Sequence, residues 1–557
     1  MTKTRKEKSN KNKKWKRLQH NGPCLEPSYS RLPNSIHFLY NGQTLKLSKS
    51  AEEAASYYAK LFNHRYSRKK RFVKNFFNDW RQIMTSRERE VVTNFELCDF
   101  RNISEFYRNQ WDEKKRLSRE EKIRQRNELL EKYGYCIIDG KRQKIGNFKV
   151  EPGGLFIGRG NHPKMGRIKK RVRAEDVTIN IGELDNVPNP PAGHQWKEVK
   201  HDDTAIWLSS WTESLFNKTK YIFPDSCSKF KMRSDLEKYE TARKLNGCIE
   251  NIRETYKNMW QSGYIRERQE AVALYFIDRL ALRAGNEKKE DTLDTVGCCS
   301  LKAKHVKLRR EGNNYKVFLD FRGKDNIRYM NNISVEREVY QNLIDFISNK
   351  RPGDKLFDQL NATLLNGLLN QMMEGLTAKV FRTYNASKCF QNELNILTTG
   401  NTNLEQKMLA YNRAARKVAA LCNHRRSVPK NYTKQMKNLQ DKIQKKRKLV
   451  EICEKEAILA KKEFERCGTD KARMTYFRKQ NSLHKTKEQL QKLELSAINK
   501  TESKSIAIST SKLNYLDPRI SVAWCKKWDV PIEKVFNKTE RSRFEWAIQT
   551  ADANFVF

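Results

Sequence analysis

From Lys430 to Leu495 the chain sets apolar residues three or four positions apart among a background of mostly Lys, Glu and Gln. Met436, Leu439, Ile443, Val450, Cys453, Ala457, Ala460 and Phe464 keep this step, with Lys446 interrupting it. Cys467-Gly468-Thr469-Asp470 breaks the run, and Tyr476, Leu483, Leu490, Leu493 and Ala497 resume it at a largely heptad spacing. So narrow a stripe predicts two helices folded back on each other, a solvated antiparallel hairpin acting as a spacer. The segment that follows, Ser505 to Phe557, holds Trp524, Trp528, Phe544 and Trp546 but is small for an independent core. It is expected to dock on an earlier domain.

Upstream of the hairpin the pattern changes once. A chain of 557 residues exceeds the roughly 250–300 at which a single core stops growing, so several domains are expected. Between Trp15 and about Ser228 the reading is mixed. Ile36 to Tyr40 runs into Asn41-Gly42, with Leu45 and Leu47 alternating beyond it, which predicts a β-hairpin. Ala51 to Arg65 and Phe72 to Met84 have helical spacing, Asp112 to Glu131 is a solvated helix or helical arm, and Pro152 to Gly166 is a glycine-rich loop with interspersed cations. From about Lys229 to His424 the pattern is mostly helical. One β interruption, Val317 to Phe321 and Ile327 to Met330, places Lys324 near a hairpin tip. The expected division is a basic arm 1–14, a mixed domain 15–228, a helical domain 229–427, a hairpin 428–504 and a tail 505–557.

Lys and Arg outnumber Asp and Glu by 112 to 66, a formal charge of +46 spread over most of the length. A polyanionic partner is the economical explanation, since each neutralised phosphate releases counterions. No run approaches the roughly 18 apolar residues of a membrane span, so a soluble protein is expected. The 12 cysteines contain no C-x-x-C and the 9 histidines no H-E-x-x-H, which argues against zinc and for reduced intracellular thiols. Lys3 to Arg17 is rich in Lys and Arg and suits nuclear import or nucleic-acid binding better than an amphipathic, acid-poor mitochondrial leader.

Four short segments set reactive or cationic residues among apolar ones. Tyr515 stands between Leu513 and Leu516, and by local pattern it is either core packing or a nucleophile. Helical spacing puts Phe276, Leu280 and Arg283 on one face, and an arginine there requires an anion, with Glu287 the ordinary partner. Lys379 and Arg382 again lie among apolar residues. His424 closes an apolar helical run, where a cap or a surface group is the usual role. Lys324, taken alone in its turn, reads as solvated. As a set, two guanidiniums, a lysine, an imidazole and a phenol suffice for phosphoryl transfer without a metal ion, because that reaction needs positioning and cationic donors.

The segments Arg159 to Gly166, Leu280 to Glu287, Asp294 to Cys299, Lys379 to Ser387 and Ser511 to Arg519 resemble the eukaryotic type IB DNA topoisomerases, and the likeness runs from about Trp15 to Phe557. It implies an α+β multidomain clamp: a mixed α/β cap, a mainly helical catalytic domain of the tyrosine recombinase/type IB topoisomerase kind, a helical-hairpin linker and a small helical C-terminal domain. By the same resemblance Arg283, Lys324, Arg382 and His424 fall on active-site positions and Tyr515 on the nucleophile. Asn514, Asp325, Arg159 and Lys379 fall on DNA-contacting positions. The implied activity is relaxation of supercoils through a 3′-phosphotyrosyl intermediate, with no cofactor, by a monomer around duplex DNA in the nucleus or alternatively the mitochondrion. The chain departs from the family in its short basic arm, where nuclear members have a long charged region, and in Ile157, where many relatives have arginine. A tyrosine recombinase would share the residue order, yet it usually has His-x-x-Arg where this chain has Lys379-x-x-Arg382, and it lacks the long hairpin. A catalytically inactive DNA-binding paralogue is the remaining alternative.

Overall fold

The computed structural model describes residues 13–286, 295–400 and 402–557. They form two compact units, 13–234 and 235–286 with 295–557. Residues 1–12 of the basic arm, Asp294 and Glu287, the partner that the sequence suggests for Arg283, lie outside the described residues.

The first unit holds two apolar clusters. One gathers Phe38, Tyr58, Phe72, Phe76, Trp80 and Phe100. Its helices are Lys49–Ala59 and Lys70–Ile83, the second burying Phe72, Phe76 and Trp80 at helical spacing. The Trp80 indole satisfies its donor on the Ala51 carbonyl at 2.8 Å. The hairpin expected after Ile36 is Phe38–Tyr40 paired with Gln43–Leu45, with Asn41 and Gly42 both left-handed as a two-residue turn requires. The other cluster, around Trp15, Leu18, Ile138, Val177 and Ile179, lies on a mixed sheet in which Val177–Asn180 pairs with Glu198–Lys200 in parallel and Ser209–Thr212 in antiparallel. The solvated stretch is split. Helices Arg101–Arg116 and Arg119–Tyr133 meet at Leu117, Ser118 caps the second, and that second helix buries none of its residues.

A long helix α1 (Lys229–Met259), which lies in the second unit from Asp235 onward, buries Tyr239, Ala242, Leu245, Ile249, Ile252 and Tyr256 along one face. Helix α2 (Ile265–Leu280) is buried nearly all round and forms the centre of the core. Strands β1 (Val306–Glu311), β2 (Asn314–Arg322) and β3 (Arg328–Val335) make an antiparallel meander. Helices α3 (Arg337–Ser348), α4 (Ala362–Met372), α5 (Ala378–Leu397) and α6 (Leu404–Leu421) complete the helical shell.

The hairpin is α7 (Tyr432–Cys467) and α8 (Asp470–Glu502), turned at left-handed Gly468 with Thr469 capping α8. Its seam is thin. Ile443, Val450, Cys453, Ala457 and Ala460 are buried on α7 but only Thr486 on α8. Two helices alone cannot enclose both sides of a stripe, so Tyr476, Leu483 and Leu490 stay half-buried. Cross-pairs such as Lys479–Glu456 and Lys487–Glu454, both 2.7 Å, line the seam's edges. The tail, α9 (Ile508–Asn514), α10 (Pro518–Lys527), α11 (Ile532–Val535), α12 (Lys538–Arg543) and α13 (Glu545–Thr550), has no core of its own. Its Ile520, Trp524, Phe536 and Phe544 join the cluster built by α1, α2, α5 and α6.

No described helix is long and apolar enough to cross a membrane. None of the cysteines forms a disulfide, and among the described residues no group of three His, Cys, Asp or Glu side chains gathers as a metal site would.

Candidate active site

Arg283 does not sit on the face of a helix, as its spacing from Phe276 and Leu280 suggests. Helix α2 stops at Leu280 because Ala281 is left-handed (φ 49°, ψ 35°), a conformation costing an alanine about 1–2 kcal/mol. The chain then runs extended beside 295–299, with the Cys298 amide donating to the Arg283 carbonyl (2.8 Å) and the Cys299 amide to that of Ala284 (2.7 Å). Gly285 (φ 81°) makes this possible: a Cβ there would lie 2.4 Å from the Gly297 Cα. The strain at Ala281 is offset by use, since its carbonyl accepts from Arg382 Nη1 at 2.8 Å.

Lys324 follows the β2–β3 hairpin in register. Arg322 faces Arg328 as the last pair, and Gly323 to Ile327 closes the turn with Asp325 and Asn326 at positive φ. Lys324 and Asp325 are exposed there.

Arg382 lies one turn into α5 and is buried. Its second terminal nitrogen, Nη2, donates to the Cys422 carbonyl, so the fork bridges the ends of α2 and α6. Helix α6 ends in a Schellman turn: the Asn423 amide donates to Ala420 (2.9 Å), the His424 amide to Ala419 (2.8 Å), and Asn423 is left-handed. That turn carries His424 inward. A cap or surface role, the local expectation, gives way to a ring only 7% exposed. Beyond it, Arg425 bridges Ile506 and the His424 carbonyl accepts from the Ala507 amide (2.8 Å), returning the chain from the hairpin to the core.

That return positions Tyr515. Its amide donates to the Ser511 carbonyl (2.8 Å) at the end of α9, and its own carbonyl accepts from Ser387 Oγ (3.1 Å). The same hydroxyl accepts from the Asp517 amide (3.1 Å) while Asp517 caps α10, where Pro518 takes the first position. Tyr515 as a whole is 6% exposed. Arg283 Nη1 donates to its phenol oxygen at 3.0 Å, the Arg382 guanidinium lies 5.1 Å from the ring centre, and the His424 ring stacks at 5.6 Å with a 26° tilt. The core reading and the nucleophile reading of this residue are therefore compatible.

Arg283, Lys324, Asp325, Arg382 and His424 line one cavity of about 230 Å³, with Asn423, Arg425 and Thr510. Tyr515 packs behind them through the contacts above. Among the charged residues of this wall cations prevail, Arg283, Lys324, Arg382 and Arg425 against Asp325. Burial, and then the charges of Arg382, Arg283 and Lys324, hold His424 down at a pKa of about 3, so the ring is neutral at pH 7. Burial also lowers the pKa of Arg382, yet a guanidinium stays charged. Two buried nitrogens have no hydrogen-bond partner among the described residues, Arg382 Nε and His424 Nε2. An anion can accept from Arg382 Nε, and from His424 Nε2 when that nitrogen carries the proton.

The other expected residues are not at the cavity wall. Lys379 is exposed in the first turn of α5, three residues before Arg382. Asn514 is exposed at the end of α9, its amide donating to the Thr510 carbonyl at 2.9 Å. Arg159 is exposed in the first unit. Two residues went unread in the sequence: Ser387, which fixes the backbone on both sides of Leu516, and Ser511, whose Oγ meets His424 Nδ1 at 2.6 Å. Ser511 precedes Tyr515 by one helical turn, the spacing that marks it in retrospect.

Residues 13–224 match the family described as the eukaryotic DNA topoisomerase I DNA-binding fragment, 227–457 its catalytic core, and 487–557 the C-terminal topoisomerase domain. DNA topoisomerase 1 of Drosophila melanogaster is 51% identical over 98% of this chain, which spans 55% of that relative's length. The human DNA topoisomerase 1 is 50% identical over 98% of the chain and 72% of its own length. The human mitochondrial DNA topoisomerase I is 50% identical over 99% and 93%. A chain of mixed α/β, multidomain build that matches these relatives over nearly its own whole length belongs to the eukaryotic DNA topoisomerase I family.

Proposed function

We propose that this chain relaxes positive and negative supercoils in duplex DNA by breaking and rejoining one strand. The carrying observation is the Arg283–Tyr515 hydrogen bond at 3.0 Å beside a cavity whose buried donors lack an anion. Tyr515 Oη attacks a backbone phosphorus in line. The P–O bond to the 5′ oxygen breaks as the bond to the phenol forms, the phenolic proton passes to water, and Lys324 protonates the departing oxygen. Arg283 and Arg382 hold the nonbridging oxygens and His424 Nε2 donates to one of them. The 3′-phosphotyrosyl bond keeps the energy of the phosphodiester, so neither ATP nor a metal ion enters the scheme. Rotation of the free end relaxes the duplex, and attack by the 5′ hydroxyl reverses the steps.

In this reading 15–228 serves as a DNA-binding cap, 229–427 as the catalytic domain, 428–504 as the linker and 505–557 as the domain that delivers Tyr515, a monomer closing around DNA. Arg159, Lys379, Asp325 and Asn514 contact the duplex near the break. The site of action is the nucleus, with the mitochondrion as the alternative. The test is plasmid relaxation in EDTA without ATP. Wild type relaxes both signs of supercoil and Tyr515→Phe binds DNA but relaxes none. Relaxation persisting in that variant sinks the assignment, as does a denaturant-trapped adduct joined through a 5′ end; an inactive paralogue would relax in neither form.

A further inference from the structure

His424 offers Nδ1 to Ser511 and leaves Nε2 bare, so its usefulness depends on which nitrogen carries the proton. Two arrangements fit an Oγ–Nδ1 distance of 2.6 Å. Either the serine hydroxyl donates to Nδ1 and the ring proton sits on Nε2, or Nδ1–H donates to the serine and Nε2 presents a lone pair.

Ser511 is fully buried, and Nδ1 is the acceptor within reach of its hydroxyl among the described contacts. If Nδ1 held the proton, the hydroxyl hydrogen would be buried without an acceptor, a cost comparable to a lost hydrogen bond. At the same time Nε2 would turn a lone pair toward a cavity built to receive an anion, lone pair against lone pair. Both defects vanish in the other arrangement. We infer that Ser511 is a positioning residue that donates to His424 Nδ1 and thereby fixes the proton on Nε2, from which a hydrogen bond is donated to a nonbridging phosphate oxygen. The position in the chain explains how this is built. Ser511 and Tyr515 are one turn apart on the delivering segment, and the Ala507 amide ties that segment's entry to the His424 carbonyl at 2.8 Å. Seating the tyrosine and setting the histidine's proton are thus one docking event. A ring kept neutral by burial and then by its cationic neighbours is free to hold one tautomer rather than a second proton.

The inference rests on the phosphoryl-transfer role given to His424 above, and its test separates the two. In protein labelled with ¹⁵N-histidine and free of DNA, the His424 signals, identified by their loss in His424→Ala, are expected to show protonated Nε2 and bare Nδ1 near pH 7.5. Ser511→Ala is expected to mix or invert that pattern. A wild-type Nδ1–H tautomer, or a pattern unmoved by Ser511→Ala, overturns the inference whether or not the protein relaxes DNA. On a nicked oligonucleotide duplex, single-turnover cleavage by Ser511→Ala is expected to fall by about tenfold, the share of one neutral hydrogen bond. In a His424→Ala background the same change is expected to cost nothing further. Equal losses in both backgrounds would mean that Ser511 only seats the tail, and would refute the assignment.

Discussion

Arg382 shows how much of a functional residue is spent on the fold. Its two terminal nitrogens hold the carbonyls of Ala281 and Cys422, which leaves Nε as the donor without a partner. Lysine has no fork and cannot reach both carbonyls while presenting a third donor. Arg382→Lys is therefore expected to lower the single-turnover cleavage rate by about 10²-fold, and to cost roughly 1–3 kcal/mol of stability by freeing a buried carbonyl, read from urea melts. His424 makes a different prediction. Its pKa falls from 6.5 to about 3 on folding, so between those values the unfolded chain binds a proton that the native chain refuses. Stability is then fully present above pH 6.5 and declines as pH falls toward 3, by up to about 1.4 kcal/mol per unit. Urea midpoints measured from pH 7.5 to 4.5 should drop less steeply in His424→Gln, and parallel curves would contradict the neutral buried ring. Residue types were legible in the sequence: the arginines, lysine, histidine and tyrosine that meet here are those that the motifs pick out. Their supports were not, because Ala281 and Cys422 act through backbone carbonyls, which every residue type has, and Ser387 is one hydroxyl with no pattern around it to mark its use.

At the scale of elements, backbone breaks rather than periodicity place the site. Apolar spacing read the α7–α8 hairpin and the β2–β3 turn around Lys324, since each has a stripe or an alternation and a marked break. It misread Arg283, because a left-handed alanine leaves no compositional trace and the apolar run simply continues past the helix end. Gly285 was the available signal. Gly285→Ala forces a Cβ onto the Gly297 backbone and should displace the segment that carries Arg283, abolishing cleavage while costing about 1–2 kcal/mol or more in thermal unfolding. The hairpin predicts the opposite balance. Its base is fastened to α6 by Arg413 and Arg416, which hold Glu502, with Arg416 also donating to Asn499 (2.6 Å) and Ser503 (3.0 Å). Beyond the base, no hydrogen bond or ion pair among the described residues links the seam to Arg283, Lys324, Arg382, His424 or Tyr515. Trimming α7 and α8 above the base is expected to leave the covalent DNA adduct forming and to alter rotation and religation rates. Loss of the adduct would show that the hairpin does more than space its ends.

For the whole molecule the governing quantity is charge. A chain of +46 facing a polyphosphate binds largely by releasing counterions, so affinity should depend on salt far more than a site of five residues can explain. The argument gives a slope. Each phosphate neutralised on duplex DNA contributes about −0.9 to the dependence of log K on log salt concentration. The exposed Lys379, proposed to meet the duplex, stands in the first turn of α5 without lining the cavity that Arg382 lines. If its ammonium neutralises one phosphate, Lys379→Ala weakens binding at low salt and flattens the slope by about one unit. Fluorescence anisotropy of a labelled duplex, titrated at four KCl concentrations, reads both numbers. A variant with weaker binding and an unchanged slope would show that Lys379 supports the fold of α5 instead of meeting the backbone. The total slope of wild type then counts the phosphates engaged by both units together, a sum that neither unit's structure supplies alone.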